Sequence, residues 1–506
     1  MRPRRRRVPI ALSFGAAVAG VSVLLPVVYL VIRAGERGWD TVEATLMRGR
    51  TLELVLRSVG MAAAVTAASL VIGIGGAWLV TRTDLPWKPL WRVLLALPLA
   101  MPSYVAAWAW IGVRPDLAGP VGAWVVLTSV SYPYVYLPVA AALRRVDPSL
   151  EDAARSLGRR PWQVVLGVTL RQTRTAAVGG ALLVGLYALS DFGAVSIMRF
   201  ESLTHALYRS YRASFDRTPA AVLGCVLAAL AVVILVVQHR RGTGSVAKVS
   251  GGAIRSATPV SLGRWRWPSV ALLAGLMAAS LGVPAWSLLY WLQRGTSTTS
   301  WSRLTDAVVT TAWVAAAGAV VTVLVALPVG ILSARYGGRL SQWVTTAAYT
   351  SHSLPGIVVA LSLVFFGIRF ATPFYQRTPM LLFAYVVLFL SLAIAGVHNS
   401  IAQSPPALDE MARCLGRSTL ATWVQVTMRL AAPGIGAGTL LVFLTIMKEL
   451  PATLLLRPIG VDTLATRLWG YTDSASYAAA APYAAAIVLL AAVPTTALTG
   501  AWMERR

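Results

Sequence analysis

A short polar segment occurs twice in this chain, each time between long apolar segments. Residues 147–158 read DPSLEDAARSLG and residues 405–416 read PPALDEMARCLG, at a separation of about half of the 506-residue chain. Self-similarity over such a distance indicates two copies of one structural unit. Because apolar sequence encloses both copies, we expect two fused membrane domains, and a partner outside the membrane that is itself present in two copies.

The composition predicts an all-α polytopic membrane protein. Hydrophobic residues make up 57% of the chain and charged residues 13%, whereas soluble domains carry roughly 25% charged residues. Apolar runs of about 20 residues, the length that crosses a bilayer as a helix, recur along the sequence. These runs are too long and continuous for the strands of a membrane barrel. Helices are then the way in which a lipid-facing backbone satisfies its hydrogen bonds.

The apolar runs predict about twelve spans, six in each half. In the first half they cover about 9–32, 54–80, 91–113, 121–143, 176–198 and 219–238. In the second half they cover about 268–292, 306–333, 343–368, 380–401, 433–456 and 480–502. Since six is an even number, both halves insert in the same orientation as a parallel repeat. The predicted domains are a first transmembrane domain at 1–238, a cytoplasmic linker at 239–267 and a second transmembrane domain at 268–506.

The net charge of +26 is distributed as membrane topology requires, which argues against a nucleic-acid partner. Arginines precede the first span between Arg2 and Arg7, and the 239–267 segment is basic without an acidic residue. Such clusters remain on the cytoplasmic side of a membrane. We therefore expect a multi-pass protein of the cell membrane, in contact with lipid, with both termini in the cytoplasm. The linker is rich in Gly, Ser and Thr and is predicted to be flexible.

Each polar segment is predicted to form a short amphipathic helix. In the first copy Asp147 can cap the helix, with Pro148 at its first position. Acidic residues follow in the first turn, near the positive end of the helix dipole, and apolar residues at helical spacing form a small face. Gly158 is placed to end the helix in a left-handed conformation. The second copy repeats this pattern between Ser404 as the cap and Gly416.

The duplication extends into the apolar segments. Arg82 in the first half matches Arg335 in the second, and Tyr208 matches Trp469. We interpret Tyr208, Tyr211 and Trp469 as aromatic residues at the membrane–water interface.

The polar segments carry a family resemblance. Asp152-Ala153-Ala154 with Gly158, and Glu410-Met411-Ala412 with Gly416, resemble the EAA loop of ABC importer permeases. The chain departs from the family pattern at Met411, which replaces an alanine, and at Arg171 and Arg429, which stand where the family has proline. The residues that the resemblance implies in coupling to an ATPase are Glu151, Asp152, Ala153, Ala154, Leu157, Gly158, Asp409, Glu410, Met411, Ala412, Leu415 and Gly416.

The resemblance also implies partners. Each loop helix would sit in a cleft of a cytoplasmic ABC ATPase, of which two copies bind ATP and Mg²⁺, and an extracytoplasmic binding protein would deliver the substrate. The stretches SDFGAV at 190–195 and KELPATLLLRP at 448–458 resemble ferric-iron importer permeases. Ferric iron is therefore the expected substrate. The alternatives are thiamine or another small organic solute, such as an aminophosphonate or a polyamine. An ion-gradient-driven transporter is disfavoured, because it needs no helix that docks an ATPase.

No catalytic residue, metal site or cofactor is predicted in the chain itself. None of its three lysines follows a glycine, which excludes a phosphate-binding loop of the GxxxxGK[ST] type. The four histidines are scattered, and the two cysteines give no disulfide framework. Hydrolysis of ATP is thus expected in the partner subunits, and this chain is not expected to be an enzyme.

Asp191 and Glu449 are the matched ionisable residues of the two halves. Each lies near the outer end of the predicted fifth span, where a charge is costly and usually faces a bundle interior or a water path. They are candidates for the lining of a translocation path. The alternative is a structural role, in which Glu449 pairs with Arg457, and Asp191 with Arg199 or a loop N–H.

Overall fold

The computed structural model describes residues 8–146, 148–213, 217–242, 259–295 and 300–503. Within these ranges the secondary structure is helical, apart from an isolated bridge between Thr83 and Val260. The arginines before the first span, the predicted cap Asp147 and most of the linker lie outside the described residues.

The first half is built from α1 to α13. Their bounds are α1 Ile10–Gly35, α2 Trp39–Leu46, α3 Gly49–Arg82, α4 Lys88–Leu94, α5 Ser103–Val113, α6 Pro120–Ser131, α7 Pro133–Leu143, α8 Pro148–Ser156, α9 Pro161–Val164, α10 Leu170–Ser190, α11 Gly193–Ile197, α12 Leu203–Ala213 and α13 Thr218–Gly242. A π-helical turn at Val165–Thr169 joins α9 to α10.

The second half is built from α14 to α25. Their bounds are α14 Arg266–Met277, α15 Val283–Gly295, α16 Trp301–Arg335, α17 Arg339–His352, α18 Gly356–Phe370, α19 Thr378–Ala402, α20 Pro406–Cys414, α21 Thr419–Thr422, α22 Arg429–Met447, α23 Pro451–Leu456, α24 Leu464–Asp473 and α25 Tyr477–Met503. A π-helical turn at Trp423–Met428 precedes α22, as its counterpart precedes α10.

The described residues contain nine helical segments long and apolar enough to cross a membrane, or eleven if each of two bent pairs is one span. The last predicted span, 480–502, falls in α25, of which Tyr477–Ala492 is a shorter apolar helix. The chain is therefore a polytopic helical membrane protein, as its composition predicts.

The third predicted span of each half is broken. The angle is 93° between the helices that precede and follow Pro102, and 101° at Pro355. Both prolines are the residues just before a helix, α5 and α18. Since proline has no N–H and holds the preceding residue extended, it separates two helices that the hydropathy alone joins into one.

The fifth predicted span of each half ends earlier than predicted. The 176–198 prediction is cut at Ser190, where α10 ends, and the 433–456 prediction is cut at Met447, where α22 ends. Asp191 has extended backbone angles, φ −65° and ψ 131°, so the helix cannot continue through it. Each fifth span is followed by a short separate helix, α11 or α23.

The first span of each half packs on helices of the other half. Helix α1 lies against α16, α17 and α18 of the second half, and α15 lies against α5 of the first. Glycines allow the close approach: a Cβ on Gly20 would lie 2.6 Å from the ring of Trp343, and one on Gly112 would lie 2.8 Å from Nε1 of Trp291. The first span of each half is thus packed into the other half.

Candidate functional site

Both polar segments form the predicted short helices, α8 and α20. Each ends in a left-handed glycine, with φ of +77° at Gly158 and +83° at Gly416. The N–H of Arg159 donates to the carbonyl of Ala154 at 3.2 Å. In the second copy the N–H of Arg417 donates to the carbonyl of Ala412 at 3.1 Å. These bonds satisfy carbonyls that the helix end would leave unpaired.

The start of the second loop helix differs from its prediction. Helix α20 begins at Pro406, Pro405 is the residue before it, and no side chain caps it. The Ser404 hydroxyl is buried with no hydrogen-bond partner among the described residues. The prediction that Ser404 caps this helix is therefore wrong, because two consecutive prolines place the helix start one residue further from the serine.

The loop helices each have a buried and an exposed face. Ala154 and Ala412 are buried, whereas Ala153 is exposed, so the two alanines of the first copy lie on different faces of α8. Leu157 and Leu415 are 82% and 83% exposed. The other exposed residues among those assigned to coupling are Asp152, Ala153, Gly158, Glu410, Met411 and Gly416. An exposed leucine at the same place on both helices leaves an apolar surface open to a partner.

The first acid of each copy lies on the buried face. Glu151 forms an ion pair and a hydrogen bond with Arg82, the last residue of α3. The hydroxyl of Thr169, in the π-helical turn before α10, donates to Oε1 of Glu151 at 2.7 Å. Both charged side chains are 8% exposed. Glu151 therefore ties the loop helix to the end of α3 and to the turn that precedes α10.

The second half repeats this arrangement with a shorter acid. Nη2 of Arg335, the last residue of α16, lies 3.4 Å from Oδ2 of Asp409. The hydroxyl of Thr427, in the π-helical turn before α22, donates to Oδ1 of Asp409 at 2.7 Å. We call Arg82, Glu151 and Thr169 the first loop anchor, and Arg335, Asp409 and Thr427 the second.

The anchors were only partly visible in the sequence. Glu151 and Asp409 were assigned to the coupling loops, but their partners were not identified. The repeat matches Arg82 to Arg335, and in both halves the threonine follows the acid by 18 residues. An acid followed at the same spacing by a threonine in both halves was the sequence signal from which the anchors could have been predicted. Buried charges require such partners.

Asp191 braces the broken third span of the first half. The hydroxyl of Ser103, the first residue of α5, donates to Oδ2 of Asp191. The N–H groups of Ala194 and Val195 donate to Oδ1 at 2.8 and 3.3 Å. Both carboxylate oxygens are thus engaged, and the carboxylate caps the short helix α11.

Glu449 occupies the equivalent place with a different neighbour. The N–H of Ala452 donates to its Oε1 at 3.1 Å, so the carboxylate caps α23. Where the first half has Ser103, the second has Gly356, and a Cβ there would lie 2.7 Å from Oε1 of Glu449. The longer acid thus fills the space that a serine side chain takes in the first half. Arg457 pairs with Asp462 rather than with Glu449.

Exchange of these matched pairs gives a testable expectation. Gly356→Ser should displace the Glu449 carboxylate from Ala452 and destabilise the protein by about 1–3 kcal/mol, the usual cost of overpacking. Combining it with Glu449→Asp reproduces the pair of the first half and should recover most of that loss. Melting curves of the two single variants and the double variant measure the coupling. Additive losses would contradict the steric complementarity.

Aromatic side chains from the two halves meet near these acids. The rings of the equivalent residues Tyr208 and Trp469 lie 5.7 Å apart at 85°, and the ring of Phe192 lies 5.0 Å from Tyr208 and 6.3 Å from Trp469. Tyr208 and Trp469 are each 7% exposed. The interpretation as interface aromatics is therefore wrong for these two residues, which join the halves. Tyr211 packs on Phe365 at 6.2 Å.

Comparison with known proteins identifies a family similarity in both halves. Residues 69–240 and 326–501 each match the family described as binding-protein-dependent transport system inner membrane component. The Fe(3+)-transport system permease protein FbpB 2 of Haemophilus influenzae is 33% identical over 495 residues, 97% of this chain and 98% of that protein.

Two further relatives match a part of the chain. The sulfate transport system permease protein CysW of Escherichia coli is 28% identical over 37% of this chain and 69% of its own length. The molybdenum transport system permease protein ModB of Escherichia coli is 29% identical over 37% of this chain and 91% of its own length. Similarity to these proteins thus spans several named substrates.

Proposed function

Since this chain belongs to the family of binding-protein-dependent transport system inner membrane components, and is an ABC importer permease of the membrane, we propose that it imports ferric iron. The observation that supports iron is the 33% identity with an Fe(3+)-transport permease over almost the full length of both chains. The similarity to the sulfate and molybdenum permeases covers 37% of this chain in each case.

We propose that each loop helix docks one copy of a cytoplasmic ABC ATPase, which binds ATP and Mg²⁺. The exposed apolar residues of α8 and α20, together with the exposed leucine that follows each helix, Leu157 or Leu415, fit a cleft lined by apolar side chains. One loop helix in each half of the chain matches one copy of the ATPase. An extracytoplasmic binding protein delivers the substrate on the other side of the membrane.

The loop anchors provide a path for the coupling motion. Displacement of α8 moves Glu151, and the ion pair with Arg82 and the hydrogen bond from Thr169 carry the movement to α3 and α10. Packed helices transmit small shifts because a close-packed interior has low compressibility. The same chain of contacts in the second half leads to α16 and α22. ATP-driven closure of the two ATPases would thus reorient the spans on both sides of the path.

The substrate proposal is tested by uptake into proteoliposomes. The permease is reconstituted with its ATPase and its binding protein, and labelled ferric iron, sulfate, molybdate and thiamine are offered in turn. ATP-dependent accumulation of iron alone supports the proposal. Accumulation of an oxyanion or thiamine without iron would overturn it and leave the importer assignment intact.

The two matched acids are proposed to differ in their relation to the path. Asp191 has both oxygens engaged, whereas Oε2 of the half-buried Glu449 has no hydrogen-bond partner among the described residues. A cation in a partly dehydrated path feels a carboxylate strongly, because the path screens charge less than bulk water does. We therefore expect Glu449, more than Asp191, to act on a passing ferric ion.

Charge removal separates the path role from the bracing role. Glu449→Gln should lower iron uptake severalfold at an unchanged melting temperature, since the amide oxygen can keep the bond from Ala452. Asp191→Asn should lower the melting temperature, because an amide nitrogen cannot accept the hydrogen bond that Ser103 donates to the second carboxylate oxygen. Uptake of labelled iron and melting curves are measured on the same preparations. Unchanged uptake with a lowered melting temperature for Glu449→Gln would place both acids in the structural class.

We further propose that both termini and the 239–267 linker are cytoplasmic, on the basis of the arginine clusters. In a chain whose Cys225 and Cys414 are replaced by serine, a single cysteine at Ser250 should react with a membrane-impermeant thiol reagent only after the cells are opened. A cysteine at Gly460, in the loop after α23, should react in intact cells. Labelling of position 250 from outside would refute this topology.

A further inference from the structure

The end of the linker pairs with the first half of the chain. The N–H of Val260 donates to the carbonyl of Arg82 at 2.8 Å, and the N–H of Asp84 donates to the carbonyl of Val260 at 3.1 Å. These bonds form the isolated parallel bridge between Thr83 and Val260. The linker was predicted to be flexible, and for residues 259–262 the prediction is wrong, because backbone pairing holds them beside the turn after α3.

Asp84 fastens this segment with its side chain. Its carboxylate accepts hydrogen bonds from the N–H of Leu262 at 2.8 Å and from the hydroxyl of Ser261 at 3.4 Å. The bond from Leu262 lowers the pKa of the Asp84 carboxyl below its usual range. Leu262 is half-buried and packs against the core of the helix bundle. Polar and apolar contacts thus hold the same four residues.

The fastened segment lies over the first loop anchor. Arg82 accepts the bond from Val260 with its carbonyl and pairs with Glu151 through its guanidinium. A gap of about 20 Å³ remains between Val260 and the anchor, and its lining includes Trp78, Arg82, Glu151 and Thr169. That space holds about one water molecule. Val260 therefore keeps bulk water away from a buried ion pair, and exclusion of water strengthens the attraction between its charges.

The second half has no counterpart of this arrangement among its described residues. Gly337 stands at the position equivalent to Asp84, counted from the matched arginines, and offers no carboxylate. Among the described residues, the backbone hydrogen bonds of the turn at 336–338 are all local. Nε of Arg335 is buried without a hydrogen-bond partner in the described part of the chain, and its ion pair with Asp409 is 3.4 Å long. The two anchors therefore consist of equivalent residues, but the residues around them differ.

We propose that residues 259–262 form a clamp that holds the first loop helix in position, with Asp84 as its positioning residue, so that the two loop helices of this chain are not equivalent. The consequence for transport rests on the proposed coupling function, whereas the clamp itself is a property of the chain. Because the clamp is made from the linker, it exists only when the two halves are fused in one polypeptide.

Hydrogen exchange on the full permease–ATPase complex tests the clamp. Asp84→Ala removes the acceptor for Leu262, and Val260→Pro removes the donor to Arg82. Each variant should raise the rate of hydrogen exchange in α8 severalfold and leave the rate in α20 unchanged. Exchange in α8 should be only slightly faster in the double variant than in either single variant, since both changes release the same segment. Asp306→Ala, at an exposed acid on α16, is the matched control and should change neither helix.

The outcomes separate the clamp from the coupling function. Unchanged exchange in α8 for both variants, or an equal rise in α8 and α20, would overturn the clamp. Iron taken up per ATP hydrolysed is measured on the same variants and should fall severalfold. Faster exchange in α8 with an unchanged ratio of uptake to hydrolysis would support the clamp and contradict the coupling role of α8.

Discussion

Replacing Glu151 with leucine is expected to reduce the stability of the protein by about 3–5 kcal/mol, because it leaves the Arg82 guanidinium buried without its counter-charge. Both side chains of the pair are 8% exposed, so solvent cannot compensate the arginine without rearrangement of the helix ends. The hydroxyl of Thr169 loses its acceptor at the same time. The shift of the thermal or denaturant unfolding midpoint of the purified protein measures the effect.

A double variant that replaces both partners of the ion pair tests whether the loss of stability comes from the unpaired charge. Arg82→Met together with Glu151→Leu removes both charges and should recover most of the lost stability, since well-packed apolar residues often replace a buried ion pair without loss. The corresponding change in the second anchor, Asp409→Leu, should behave in the same way with Arg335→Met. Equal losses in the single and double variants would show that packing, rather than the ion pair, holds the loop helix.

A surface acid on the same helix serves as the control. Asp152 lies next to Glu151, its side chain is 69% exposed, and it pairs with the exposed Arg155 at 2.9 Å. Exposed pairs of this kind contribute roughly 0–1 kcal/mol. Asp152→Leu should therefore leave the melting temperature nearly unchanged. Comparing the stability changes of these two variants isolates the effect of burial, since both acids carry the same charge and lie on the same helix.

The sequence was sufficient for the features that follow from local pattern. Apolar runs of bilayer length predict the helices, the repeated segment predicts the loop helices, and Gly158 and Gly416 mark their ends. Each of these depends on residues that are neighbours in the chain, so composition and spacing carry the information. The structure has left-handed backbones at both glycines, with φ of +77° and +83°.

Features that depend on distant residues were not predicted. Arg82 and Glu151 are 69 residues apart, and Ser103 and Asp191 are 88 apart, so no local pattern joins them. Hydropathy gives the length of an apolar run but does not show where the helix axis bends. For this reason the bends in the third spans were not predicted. The internal repeat offers a partial remedy, since a polar residue matched in both halves is a candidate for a shared contact.

Substitution of both loop glycines by glutamate should reduce iron uptake by more than about tenfold while the spans stay folded. A side chain at a left-handed position costs roughly 1 kcal/mol of backbone strain. A Cβ at Gly158 or Gly416 would meet nothing within 4 Å, so the substitution adds no clash inside the permease. The new charge lies instead beside the exposed Leu157 or Leu415, where docking of the ATPase requires an apolar surface. A loss of roughly 1.4 kcal/mol in docking already weakens binding tenfold.

Three comparison variants separate strain, charge and position. Asparagine tolerates the left-handed conformation, so Gly158→Asn with Gly416→Asn should keep most of the uptake. Gly158→Ala with Gly416→Ala adds strain without charge and should lower the melting temperature slightly. Gly460 has φ +80° and open space around it, but lies in the loop after α23, away from the loop helices. Gly460→Glu should therefore leave uptake intact.

Co-purification of the ATPase and its ATP turnover are measured with uptake. If the glutamate variants bind the ATPase and couple hydrolysis to uptake normally, the exposed faces of α8 and α20 are not the docking surface. Loss of uptake in the glutamate variants alone, with a melting temperature no lower than that of the alanine variants, is the result that an apolar docking face requires.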